Sequence, residues 1–169
     1  MTKIVVYIAS SLDGYIAREN GSIDWLPEVT ESGYDTFYKS VDTVIMGKTT
    51  YEQVLTFGEY PYKDKKSFVF TRTNQNKDEH AEFVSDIEKF VKDGFPNAGE
   101  NIWLVGGGQI MSSFLKQGVV DEIIISVIPI LLGKGIPLFK NIENETKLEF
   151  VKTETYGQLV DLHYKVLRI

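Results

Sequence analysis

The sequence predicts an α/β protein built on a mostly parallel mixed sheet, with helices on both faces and an antiparallel hairpin at the C-terminal edge. Two observations carry this. Short, continuous apolar runs at residues 43–46 and 102–105 suit strands covered on both faces, and each is followed by a stretch that reads as a helix. Near the C-terminus the pattern changes to two extended runs, 148–155 and 159–167, joined by the turn Tyr156-Gly157-Gln158. No internal repeat, low-complexity tract or linker interrupts the 169 residues, so residues 1–169 are expected to form a single domain.

Each element follows from its own residues. Residues 3–9 are rich in β-branched side chains and read as the first strand. A polar, glycine-containing loop is expected over 10–25, then a helix over 30–40 with Tyr34, Phe37, Tyr38 and Val41 as its apolar face. Residues 43–46 form a buried strand ended by Gly47, and 49–55 a short helix capped by a threonine. A strand over 66–71 precedes a helix over 85–93 capped by Ser85. After the strand at 102–105, Ile110, Met111, Phe114 and Leu115 fall at helical spacing, with Gly118 as the stop. Residues 122–127 are the last strand before the hairpin.

Composition excludes several classes of function. With 43% hydrophobic and 25% charged residues the chain is an ordinary globular protein. No apolar run reaches the ~18 residues of a membrane span, and MTKIVVYIASS turns polar too soon for a signal peptide, so a cytoplasmic location and no membrane partner are expected. A net charge of -6 argues against a nucleic-acid partner. Without cysteine, and with only His80 and His163, no metal site is expected.

A small anionic ligand is compatible with that charge if a few local cations hold it, and Lys48, Arg72 and Lys134 are the candidates. In open α/β sheets ligands bind at the carboxyl ends of the strands. Here those ends read Ala9-Ser10, Gly47-Lys48-Thr49-Thr50, Thr71-Arg72 and Gly106-Gly107-Gly108-Gln109. The glycine triplet turns a strand into a helix, leaves no Cβ in the way of a ligand, and places it against unpaired amide N–H groups. Each stretch taken alone also suits a plain tight turn or a capped helix. Their concentration on one edge of the sheet favours phosphate binding.

VIMGKTTYE (44–52), KSFVFTRT (66–73) and IWLVGGGQIMSSFL (102–115) resemble the dihydrofolate reductase-like superfamily. SLDGYIARENGSIDWL (11–26) and IPILLGKGIPLF (128–139) resemble the reductase domain of the riboflavin-biosynthesis deaminase/reductase proteins. The resemblance runs in order from residue 4 to about residue 165. It implies a three-layer dihydrofolate reductase-like fold, NADPH as cofactor, and a reductase acting on a small heterocyclic, pterin- or pyrimidine-like, or carbonyl-type substrate, as 5-amino-6-(5-phosphoribosylamino)uracil reductase does. It further implies that Gly47, Lys48, Thr49 and Thr50 hold phosphates, that Thr71 and Arg72 lie at the adenosine 2′-phosphate end, and that Gly106, Gly107, Gly108, Gln109 and Ile110 receive the pyrophosphate. Ala9 and Ile16 would flank the nicotinamide. The cations Lys48 and Arg72 favour NADPH over NADH, whose sites usually place an acid there.

The substrate side stays open. Asp13 matches the riboflavin-type motif but also suits an Asp-Gly turn, while Glu28, Glu31 and Asp35 compete as the acid near the first helix. Ser11 and Trp25 are candidates for lining the substrate pocket. The zinc deaminase signature needs P-C-x-x-C, so a free-standing reductase-like domain is expected. A true dihydrofolate reductase and a non-catalytic NADP(H)-binding module are the alternatives. Ile123, Ile124, Ile125, Val127, Ile128, Ile130, Leu131 and Leu132 are more apolar than one strand and its exit loop require. Together with the resemblance, they point to a homodimer.

Overall fold

The structure is a computed structural model that describes residues 1–28, 31–73 and 77–168. In chain order the elements are β1 (Lys3–Ser11), β2 (Tyr15–Ala17), α1 (Tyr34–Ser40), β3 (Thr43–Gly47), α2 (Lys48–Leu55), β4 (Lys66–Phe70) and β5 (Glu82–Val84). They continue with α3 (Ile87–Lys92), β6 (Asn101–Gly106), α4 (Gly108–Lys116), β7 (Glu122–Ile128), β8 (Ile136–Pro137), β9 (Leu148–Tyr156) and β10 (Leu159–Val166).

Eight strands form one sheet in the order β5-β4-β3-β6-β1-β7-β10-β9, and β2 and β8 form a separate antiparallel ribbon. The first six positions are parallel, whereas β10 runs antiparallel to both neighbours. From β1 the chain steps outward through β3, β4 and β5, leaving a gap that β6 later fills; β7 then takes the other side of β1. Right-handed crossovers in opposite directions put α1 and α2 on one face and α3 and α4 on the other.

The core divides accordingly. Ile4, Val6, Ile45, Ile102 and Leu104 pack with Phe90 of α3 and with Ile110, Met111 and Phe114 of α4. The alternate residues Val44, Met46 and Trp103 pack with Tyr51 and Val54 of α2 and with Phe37 of α1. This is the period-two alternation of a sheet buried on both faces. A third, smaller cluster of Trp25, Ile128 and Leu159, with Ala9, Leu26 and Tyr156 against it, lies near the carboxyl rim.

Several expectations are corrected in detail. α1 begins at Tyr34 rather than near residue 30; Thr30 lies outside the described residues, and Glu31 to Gly33 are not helical. α1 buries no residue fully but lays its rings on the sheet, Phe37 stacking on Tyr7 at 4.6 Å between centroids. α2 starts at Lys48 after Gly47, without the expected threonine cap. The cap of α3 is Asp86, which accepts from Lys89 N at 2.9 Å, and not Ser85. The stretch 10–25 is not all loop, because β1 continues to Ser11 and β2 pairs with β8. β5, three residues parallel to β4, was not expected. Within the apolar 123–132 stretch, Ile123, Ile124 and Ile128 are buried inside the chain itself, while Leu131 is 69% exposed.

Phe114 is 0% exposed and meets Phe70 edge-on at 5.6 Å. Phe114→Ala should lower unfolding free energy by about 3–5 kcal/mol in urea denaturation, because the surrounding β-strands cannot collapse into the space.

Candidate active site

The order β4-β3-β6-β1 brings four strand ends side by side. Phe70 pairs with Gly47, so Thr71 and Arg72 leave β4 next to Lys48 at the start of α2. Met46 pairs with Gly106, and a Cβ built on Gly47 would lie 4.0 Å from the Gly106 carbonyl oxygen. A Cβ on Gly107 would lie 3.7 Å from Thr50 Oγ1 and 3.8 Å from Ile16 Cδ1. Gly47, Thr50, Ile16, Gly106 and Gly107 therefore converge at one place, with Ala9 one strand away.

Two helices start on this rim, and neither has a side-chain cap or an acidic residue in its first turn. Their first amide N–H groups lack intrahelical partners, and with the dipole they favour an anion. α3, by contrast, ends its N-terminus with Asp86. Lys48 makes only a long 3.9 Å ion pair with Glu52, and Arg72 is exposed with no ion pair among the described residues. Thr49 and Gln109 are also exposed, whereas Ile110 is buried in the core under α4. Lys134 is exposed beside Glu19 at 3.8 Å.

The three glycines do different jobs. Gly106 has φ 131°, a conformation closed to other residues, and its peptide to Gly107 is cis. Gly107 faces Thr50 and Ile16. Gly108 is required by packing, since a Cβ there would lie 2.8 Å from the Pro137 carbonyl oxygen and 3.1 Å from that of Leu138.

The candidate acids have contrasting surroundings. Asp13 is exposed and is a clamp: Oδ1 accepts from Ser11 Oγ at 2.6 Å and Leu132 N at 3.1 Å, and Oδ2 from Gly133 N at 2.8 Å. The Ser11 hydroxyl foremost, then these amides, hold its carboxyl below the ordinary value, so it is unsuited to give up a proton near neutral pH. Ser11 is buried, and its hydroxyl also accepts from Tyr15 N at 2.9 Å, so it is committed to the same loop. Leu12 N to Ile130 O and Leu138 N to Gly14 O complete a zipper between the first loop and the 128–139 stretch. Glu28, Glu31 and Asp35 are exposed at the surface. Trp25 is buried against Ile128 and Leu159, beside Ala9.

The buried acid is one that the sequence reading did not single out. Asp161 of β10 is 2% exposed and accepts from Ser126 Oγ at 2.5 Å and, weakly, from Tyr7 OH at 3.3 Å. Ser126 pairs with Ala9 on one side and Asp161 on the other, so the acid shares a cross-strand row with the residue expected beside the nicotinamide. Burial first, and the Asp161 charge second, push the Tyr7 hydroxyl up to about 12, which keeps it a donor.

This sheet order, with glycines and uncapped helix starts on its carboxyl rim, defines a dihydrofolate reductase-like fold. The Enterococcus faecalis dihydrofolate reductase complexed with NADP(H) and RAB-propyl superposes on it with a TM-score of 0.67 at 17% identity, over 97% of this chain and 96% of that one. Residues 2–162 match the RibD C-terminal domain, and the chain belongs to that family. It is 47% identical over 168 residues to the uncharacterised protein YwjB of Bacillus subtilis strain 168, covering 96% of this chain and 97% of that one. A Shewanella sp. PV-4 protein, provisionally named for riboflavin biosynthesis, superposes with a TM-score of 0.83 at 30% identity, over 99% of this chain and 100% of that one.

Two outcomes are expected from the loop contacts. Asp13→Ala should raise hydrogen exchange at the Leu132 and Gly133 amides. In the parent protein, because the folded carboxyl value is depressed, their protection should persist through neutral pH and fade only as pH drops below the ordinary carboxylate range. Gly108→Ala should lower the melting temperature of the ligand-free protein, through the Pro137 and Leu138 contact, before any ligand is considered.

Proposed function

We propose that the protein is an NADPH-dependent oxidoreductase that delivers hydride to a small heterocyclic or carbonyl-type substrate, of the kind reduced by 5-amino-6-(5-phosphoribosylamino)uracil reductases. The observation that carries this reading is the convergence of Gly47, Thr50, Ile16, Gly106 and Gly107 at two uncapped helix starts on adjacent strands. Membership of the RibD C-terminal domain family supports a reductase-like role of the riboflavin-pathway type.

In this reading the bound dinucleotide supplies the hydride, and the chain supplies grip, orientation and exclusion of water. The amides that open α2 and α4 take the pyrophosphate oxygens, with Thr49 and Thr50 as hydroxyl donors beside them. Gly106 and Gly107 let that group approach the main chain. Lys48 and Arg72 meet the 2′-phosphate, where their charges distinguish NADPH from NADH. Ala9 of β1 and Ile16 of β2 would flank the nicotinamide, and the Trp25 cluster would wall off the space beyond it.

Titration with NADPH tests the proposal: at about one hundred times its Kd the ligand should stabilise the fold by about 2.7 kcal/mol, read as a higher melting temperature. No shift at millimolar NADPH would remove the reading. Arg72→Gln should weaken NADPH by about tenfold or more while leaving NADH nearly unchanged, as expected for loss of one charge-assisted contact. Equal losses for both would refute the role given to Arg72.

A further inference from the structure

Asp161 is the one charged residue in the buried set among the described residues, and no cation there pairs with it. An ionised carboxylate offers about four acceptor positions. Here one is well used by Ser126 and a second weakly by Tyr7. A buried carboxylate with spare acceptors and no counter-charge is a poor structural investment, because an apolar residue would fill the same space without desolvating a charge.

A second group is unspent close by. The Trp25 indole is 8% exposed, and its Nε1 has no hydrogen-bond partner among the described residues. Trp25 packs on Ile128 and Leu159, which occupy the cross-strand row next to Ser126 and Asp161 on the same face of the sheet. One spare acceptor and one spare donor thus stand in adjacent rows: Asp161 shares the row of Ala9 with Ser126 between them, and Ala9 packs against the Trp25 cluster. Gly33, just ahead of α1, lies over this row: a Cβ there would come 3.2 Å from the Tyr156 hydroxyl and 3.8 Å from Asp161 Oδ2. The segment ahead of α1 thus covers the carboxylate with main chain alone, and no side chain of residue 33 stands between them.

We infer that Asp161, oriented by Ser126 and Tyr7, is the specificity-determining residue of the substrate site, reading N–H donors on the substrate's edge while the Trp25 indole N–H takes an acceptor on the same ring. This rests on the proposed placement of the nicotinamide beside Ala9. It moves substrate recognition from the exposed acids near α1 to the β10 strand. Two adjacent N–H donors are the complement of a carboxylate with free lone pairs, so the matching ligand is a nitrogen heterocycle carrying an amino group next to a ring N–H, together with a carbonyl.

The probe is 2-aminopyrimidin-4-one, with pyrimidine, which has only acceptors, as its control. Each is titrated by calorimetry into the full chain, free and saturated with NADPH. Wild type should bind the aminopyrimidinone and not pyrimidine. Asp161→Asn, nearly the same shape, should bind it about tenfold or more weakly, as for one lost charge-assisted hydrogen bond, while its NADPH affinity changes less than twofold. Gly33→Ala, which places a methyl over the carboxylate, should weaken the probe and leave NADPH binding alone. The two tryptophans provide a readout that a purely structural aspartate would not move. On adding probe the Trp25 indole N–H resonance should shift, whereas that of Trp103, already donating to the Tyr7 carbonyl at 3.0 Å, should stay. Equal binding to wild type and Asp161→Asn, equal binding of pyrimidine, or a silent Trp25 resonance would overturn the inference. Failure of NADPH to bind would overturn the proposed function instead, and the titration of the free protein would still decide the role of Asp161.

Discussion

The insertion of β6 between β3 and β1 is the constraint on which the rest of the molecule depends. Leu104 is hydrogen-bonded in register with Ile45 on one side and Val6 on the other, and Ile102, Trp103 and Leu104 are covered from both faces. A strand so enclosed spends its backbone groups on the two ladders and has free ones only at its ends. Because its neighbours are β3 and β1, its glycine exit is flanked by the start of α2 and by Ala9. Were β6 at the sheet edge, the same motifs would open onto different parts of the surface.

Much of this was legible in the sequence because the relevant signals are local. Buried parallel strands write themselves as short continuous apolar runs, and at residues 43–46 and 102–105 the shortness of the run and the glycine that follows favour strand over buried helix. The glycine and Lys-Thr-Thr stretches announced the rim for the same reason. Short elements were harder: β5 and the β2–β8 ribbon have two or three residues each and are held by pairing, not by any pattern of their own. The cap of α3 was misjudged by one residue, since Ser85 and Asp86 both have capping side chains and only the backbone geometry decides between them.

Asp161 was hidden for a subtler reason. In LVDLHYKV the apolar residues Val160, Leu162, Tyr164 and Val166 alternate with Leu159, Asp161, His163 and Lys165, which reads as a strand with its second face in water. The sheet instead covers the beginning of that second face with Trp25 and the segment ahead of α1, so the aspartate is inside. The acids that looked available, Asp13 above all, are either bound to amide donors or on the outer surface.

Gly108 carries a last consequence. Its backbone sits directly against the carbonyls of Pro137 and Leu138, and the Leu138 amide is tied in turn to the Gly14 carbonyl. The beginning of α4, the small ribbon and the first loop are thereby braced as a single strut with no slack between its parts. Such a strut fixes the span from the glycine exit to the first loop. A displacement at any one of its parts is therefore passed directly to the other two.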